Sequence, residues 1–264
     1  MITAEPRFLF ETRAARAEGL ADRSDAAREP LLFAAGLYRA QGRMAADLEA
    51  FQRTHALSGH LERDAPGVVH ALRHVMDFVA KEGPIPLADE ARSRGGEDGA
   101  RCCDRLLVFW RGAGEADYLS RALLRPYVEL LSRVEVAPDR SHRAGHCPFC
   151  GGGPWVASRR SESGSDGARR LLCCALCGGE WAFDRIRCPC CGERDPAKLP
   201  SFGSERYPEA RIEACEACRR YVKSIDLTRD ARPIPEVDDL ASLGLDLWAA
   251  EEGFTRLEPG LAGL

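Results

Sequence analysis

Eight cysteines arranged as four Cys-x-x-Cys pairs are the residues of this chain best suited to chemistry. The pairs are Cys147/Cys150, Cys174/Cys177, Cys188/Cys191 and Cys215/Cys218, in the segments HCPFCGG, LCCALCGGEW, RCPCCGE and ACEACRRY. Twenty-three residues separate Cys150 from Cys174, and again Cys191 from Cys215, so one unit, C-x2-C-x23-C-x2-C, repeats with starts 41 residues apart. A Cys-x-x-Cys loop aims both sulfurs at one ion, and each unit thus supplies the four thiolates of one tetrahedral site. The spacing predicts two metal ions, either iron or zinc, since both suit an all-sulfur tetrahedron. Glycine follows the second cysteine at Gly151, Gly178 and Gly192, where a positive φ points backbone amides at the sulfurs. Arg219 departs from that pattern after Cys218. A closed four-thiolate site has no open coordination position, which leaves structure, electron transfer or binding and excludes water activation at the metal.

The other candidates are weaker. Cys102, Cys103, Cys173 and Cys190 fall outside the knuckles. The first two read as small hydrophobes just ahead of a helix, Cys173 as pointing away from the site its neighbour serves, and Cys190 as a non-ligand inside a knuckle. His70 and His74 stand four apart, but Ala71 occupies the place where a zinc protease carries its general base. His142 and His146 precede the first knuckle and read as linker histidines. There is no Gly-rich phosphate loop, nucleophile elbow or dinucleotide fingerprint, so the chain reads as a non-enzyme.

The elements that must position the cysteines divide the chain into an α+β, multidomain arrangement. Residues 1–140 are expected to form an all-α domain: a loosely attached arm to about residue 22, then apolar residues at three- and four-residue steps from Leu31 to Phe51, with Pro30 in the first turn. A loop over 58–66 precedes VVHALRHVMDFVAKEG, which stops at Gly83-Pro84, and helices follow over 104–111 and 115–134. Residues 137–145 read as a linker. Two tandem rubredoxin-like or zinc-ribbon modules then occupy 141–184 and 185–230. In the first, WVASRR and ARRLLCC are predicted strands around a polar tip at 161–167; KLPSF and EARIEAC take the same parts in the second. Trp181 and Tyr221 follow the second knuckle of each unit and are expected to cover the metal sites. Residues 231–264 form a Pro-containing connector and a final helix, capped by Asp238 or Asp239 and Gly253, with Leu240, Leu243, Leu247 and Trp248 as its apolar stripe. Its carboxylates are expected to be solvated or to face a partner.

The chain has 264 residues and a net charge of −4, which argues against a dedicated nucleic-acid binder. The N-terminal residues MITAEPRFLFETRAARAEG carry charges throughout and no apolar signal core, and no apolar run is long enough to span a bilayer. With its cysteines spaced as metal knuckles, the chain is expected in a reducing cytoplasm.

Four stretches, CPFCGGGP, RLLCCALCGGEWAFDRIRCPCCG, EACEACRRYVKSIDL and DDLASLGLDLWAAEEGFTR, together resemble the formate dehydrogenase accessory family, FdhE, over about residues 140–256. The resemblance implies a cytoplasmic, non-enzymatic maturation factor that contacts the catalytic subunit of respiratory formate dehydrogenase before export. It also implies that Cys147, Cys150, Cys174 and Cys177 hold one ion and Cys188, Cys191, Cys215 and Cys218 the other. Two other classes stand as alternatives. One is a zinc-ribbon nucleic-acid binder using Arg159/Arg160 and Arg169/Arg170; the other is a rubredoxin-like electron-transfer protein. Self-association is left open.

Overall fold

A computed structural model describes residues 6–112, 117–161 and 167–260. The chain forms two compact units, one comprising the residues up to Glu18 with Leu32–Ser141, the other Gly19–Leu31 with His142–Leu264.

The first unit is helical. In chain order its helices are α1 (Pro6–Ala21, running on into the second unit), α2 (Arg28–Gln52, entering from it), α3 (Leu61–Ala71), α4 (Arg73–Glu82), α5 (Ile85–Gly95), α6 (Gly99–Trp110) and α7 (Tyr118–Arg133). Residues Leu119 through Leu131 of α7 are all buried, so this helix is the axis about which the others pack. Burying its whole circumference takes its polar residues inside. Arg125 and Glu129 pair at 2.6 Å, Arg13 of α1 reaches Glu129 at 2.9 Å, and Gln41 of α2 donates to the Ala122 carbonyl at 2.8 Å.

Four features of this unit differ from expectation. The arm is helix α1, seated by Phe10, Ala14, Ala17 and Ala21; its inward stripe is mostly alanine, which carries little periodic signal. The arm's residues 1–5, and residues 115–116 of the predicted last helix, lie outside the described residues. Helix α5 escaped notice because its buried positions are Ala88, Ala91 and Arg94. The loop over 58–66 is shorter than expected because α3 starts at Leu61 with Pro66 inside it. Buried Asp64 reaches back to accept from the Ser58 and Gly59 amides and from the Tyr127 hydroxyl at 2.5 Å. Cys102 and Cys103 lie within α6 rather than ahead of it, half-buried, and burial is the leading cause that raises both thiols.

The second unit holds a seven-stranded sheet: β1 (Pro154–Ser161), β2 (Ala168–Cys174), β3 (Glu180–Ala182), β4 (Ser201–Ser204), β5 (Tyr207–Cys215), β6 (Arg220–Asp226) and β7 (Thr255–Arg256). The predicted strands are present: β2 coincides with ARRLLCC, β1 and β5 extend theirs by a residue or two, and β4 begins later than KLPSF; residues 162–166 of the polar tip lie outside the described residues. The strands of the two cysteine units form one sheet in the order β3-β2-β1-β6-β5-β4. Parallel pairing of Val156–Arg159 in β1 with Lys223–Asp226 in β6 makes the join, and β7 takes the rest of the β6 edge at Arg220 and Tyr221. Strand alternation sorts the side chains. Val156, Cys173, Ile212, Tyr221 and Ile225 lie in the core of one face, and Ala157, Leu172 and Val222 in that of the other.

The C-terminal segment packs on the first of these faces. It is not one helix but α8 (Pro235–Asp238), a 3-10 turn (Asp239–Ser242) and α9 (Leu243–Glu251). The Lys223 ammonium donates to the carbonyls of Asp239 and Ser242 at 2.8 and 3.3 Å, claiming acceptors that a continuous helix would use. The break also changes the phase of the stripe: Leu245 and Ala249 are buried with Leu240, while Leu247 is exposed. Gly253 closes α9 with φ 77°.

Candidate metal centres

Each knuckle is built by the same backbone device. The amide four residues after the first cysteine donates back to its carbonyl: Gly151 to Cys147 at 2.9 Å, Gly178 to Cys174 at 3.1 Å, Gly192 to Cys188 at 3.1 Å and Arg219 to Cys215 at 2.9 Å. All four donors have positive φ, at 66°, 66°, 79° and 55°. Arg219 therefore adopts the glycine geometry despite its side chain. Its guanidinium stacks 3.8 Å above the Phe254 ring, pairs with Glu216 and donates to the Glu252 carbonyl, contacts that offset the cost of the left-handed backbone.

The knuckles bring the eight predicted residues into two groups. In the first, Cys147 Sγ lies 3.7 Å from Cys177 Sγ and Cys150 Sγ lies 3.4 Å from Cys174 Sγ. In the second, the Cys188–Cys218 and Cys191–Cys215 separations are 3.7 and 3.6 Å. Within each group every sulfur is within 4.8 Å of every other. A tetrahedron with metal–sulfur bonds of about 2.3 Å has edges of about 3.8 Å, so both groups are preformed at the right size. The amides of Leu176 and Cys177 point at Cys174 Sγ, 3.3 and 3.4 Å away, and that of Cys190 points at Cys188 Sγ, 3.4 Å away. Burial is the leading cause raising the thiols of Cys174, Cys188, Cys215 and Cys218, to about 11 for Cys188 and about 12 for Cys218. Four sulfurs this close cannot all ionise without a cation among them, and a divalent ion supplies the missing charge.

The two groups differ in access. All four cysteines of the first are buried, whereas in the second Cys191 is exposed and Cys218 half-buried. Gly152 shows how tightly the first is enclosed: a Cβ there would lie 2.6 Å from Cys174 Sγ. Cys173 is buried in the core of one sheet face and Cys190 is exposed, and neither belongs to either four-cysteine group.

Trp181 and Tyr221 are not lids over the sulfurs. Trp181 packs against Ala157, Leu172 and Val222, and Tyr221 sits in the core of the other face, its hydroxyl donating to Asp246 at 2.8 Å. That contact opens onto a cluster invisible in the linear sequence. Lys223 pairs with Asp246 and, at 3.1 Å, with Asp239, and Arg256 pairs with Asp239 at 2.7 Å and Asp246 at 3.2 Å. All four charges are buried. The expectation that the carboxylates of the last helix are solvated or face a partner is thus wrong for Asp239 and Asp246, because two cations from β6 and β7 lie beneath them. Burial pushes Asp239 up, but Arg256 and Lys223 outweigh it and hold the carboxyl below its ordinary range.

The histidines form no site. His70 lies in the last turn of α3 while His74 belongs to α4 and pairs with Asp47 at 2.9 Å; His142 and His146 meet backbone carbonyls near the first knuckle. The four hairpin arginines divide between two faces, since Arg159 is opposite Arg170 and Arg160 opposite Arg169. Arg170 is bound to Glu213 and Arg160 to Glu180. Among the described residues, no helix is long and apolar enough to cross a membrane.

A helical unit followed by one sheet that carries two four-cysteine groups defines a rubredoxin-like or zinc-ribbon class of metal-binding protein. A family model described as "FdhE, C-terminal domain" matches residues 186–261. A Pseudomonas putida protein named "Protein FdhE homolog" is 30% identical over 283 residues, spanning 96% of this chain and 86% of that protein. A homologue of the same name from Aquifex aeolicus is 36% identical over 118 residues, a match that spans 45% of this chain and 41% of the relative. The crystal structure of the FdhE protein from Pseudomonas aeruginosa superposes with a TM-score of 0.70 at 25% identity, covering 97% of this chain and 95% of that one. The chain belongs to the FdhE family.

Proposed function

We propose that this protein is a cytoplasmic, non-enzymatic accessory factor for the assembly of respiratory formate dehydrogenase. It holds the unfinished catalytic subunit on a scaffold tied by two metal ions. Cys147, Cys150, Cys174 and Cys177 bind one ion, and Cys188, Cys191, Cys215 and Cys218 the other, with iron and zinc both suited to the sulfur donors. The observation that carries this reading is the pair of preformed four-cysteine groups on one sheet, in a chain of the FdhE family. When bound, the ion locks each set of strand ends together; iron would in addition supply a one-electron couple. The chain's own residues keep the sulfurs in register through the knuckle amides. Deleting the gene is expected to abolish respiratory formate dehydrogenase activity while the enzyme's subunits are still synthesised; unchanged activity in the deletion strain would sink the proposal.

The difference in access between the two groups adds a kinetic expectation. A strong chelator should remove metal in two phases, the fast one from the second group through the exposed Cys191. Substitution Cys191→Ser should erase the fast phase and leave the slow one. A single phase would show that burial does not govern release.

A further inference from the structure

On the sheet face opposite the C-terminal helices lies a cavity of about 190 Å³ whose charge has no role in the reading above. Strand alternation builds its floor. Arg159 and Arg170 are direct partners on β1 and β2, and Arg220 shares the Val222 side of β6, which the parallel join places next to β1. The segment after β3 then folds over this face. The Phe183 amide donates to the Arg170 carbonyl at 3.1 Å, and Arg170 donates to the carbonyls of Asp184 and Arg187 at 3.0 and 3.3 Å, which sets Arg185 and Arg187 along the rim. Cys188 and Cys215 of the second four-cysteine group form part of the wall.

Five arginines line this cavity against one carboxylate, Glu213. Glu213 is committed to Arg170, whose side chain is only 6% exposed. Arg187 reaches Asp184 only at 3.9 Å, and its Nε is buried without a hydrogen-bond partner. Among the described residues, Arg185 and Arg220 form no ion pair; Arg220 makes one hydrogen bond, to the Arg256 carbonyl at 3.2 Å. Like charges gathered in a concave site repel one another unless an anion joins them. A phosphoryl group puts up to two negative charges on three oxygens, which several guanidinium forks can grip at once; a carboxylate offers one charge and two oxygens.

We propose that this cavity binds a small molecule through a phosphate or pyrophosphate group. The site requires no contact with the formate dehydrogenase subunit, so it stands or falls separately from the accessory role. The test is calorimetric titration of the full-length, metal-loaded protein with inorganic phosphate, inorganic pyrophosphate and ADP, with metal content checked before and after. Pyrophosphate is expected to bind one per chain and to weaken as salt rises. Arg185→Ala and Arg220→Ala should each weaken it about ten-fold or more. Both arginines are exposed, so neither change should disturb the fold, and Arg185→Lys should fall between Ala and wild type because it keeps the charge but loses the fork. Arg232→Ala, which removes an exposed arginine paired with Asp230, should have no effect. ADP binding as tightly as pyrophosphate would identify a nucleotide as the source, and weaker ADP binding an isolated phosphate group. No pyrophosphate binding at about millimolar concentration, binding indifferent to both alanine variants, or preference for a glutamate-rich peptide that pyrophosphate fails to displace would overturn the proposal.

Discussion

Replacing Lys223 with methionine is expected to destabilise the protein by about 3–5 kcal/mol and to lower its melting temperature by about 10 °C. Lys223 is fully buried and joins Asp239, Asp246 and two carbonyls of the turn between α8 and α9. The cluster balances two cations against two carboxylates, so deleting one cation leaves a net buried negative charge. That imbalance, more than the lost hydrogen bonds, sets the size of the effect. The double variant Lys223→Met/Asp246→Asn restores the balance around Arg256 and Asp239 and should be more stable than Lys223→Met alone. Thermal unfolding of the three proteins checks this, and a double variant no better than the single one would show that charge balance is not what holds the C-terminal segment. The pH dependence has a definite sign. Because Asp239 titrates below its ordinary range when folded, its stabilisation is complete above about pH 4 and fades as the pH falls further. Without Lys223 the Asp239 carboxyl moves back toward its ordinary range, so this loss on acidification should be smaller.

The second large effect concerns the first four-cysteine group. Cys150→Ala removes one ligand from a site whose cysteines are all buried, and it should cut the metal content of anaerobically purified protein from two ions per chain to one. The stability lost should exceed that in Cys191→Ala, because the cysteines of the first group are all buried while the second group is partly open to solvent. Metal analysis with chemical denaturation measures both. Equal losses of stability in the two variants would show that burial of the cysteines does not set their contribution.

The features legible in the sequence were those encoded by short spacings. Cys-x-x-Cys fixes two sulfurs within one turn of chain, so the groups could be named before their geometry was known, and the repeated 23-residue interval supplied the hairpins between them. Features that depend on pairing between distant strands were not legible. Lys223 and Asp246 stood out as parts of a recognisable string, yet nothing local says that they meet. Arg159, Arg170 and Arg220 become neighbours only through the parallel contact of β1 with β6, which no turn signal announces. Helix α1 was hidden for another reason: alanines at its inward positions pack tightly but are too small to mark a hydrophobic period.

The most direct test of the accessory role is capture of the formate dehydrogenase catalytic subunit from anaerobic extract by the tagged full-length protein, compared with a Cys147→Ala/Cys150→Ala variant. The wild-type protein is expected to retain the subunit, and the variant, folded in its helical unit but lacking one ion, is expected not to. Equal retention by both, or by neither, would contradict it.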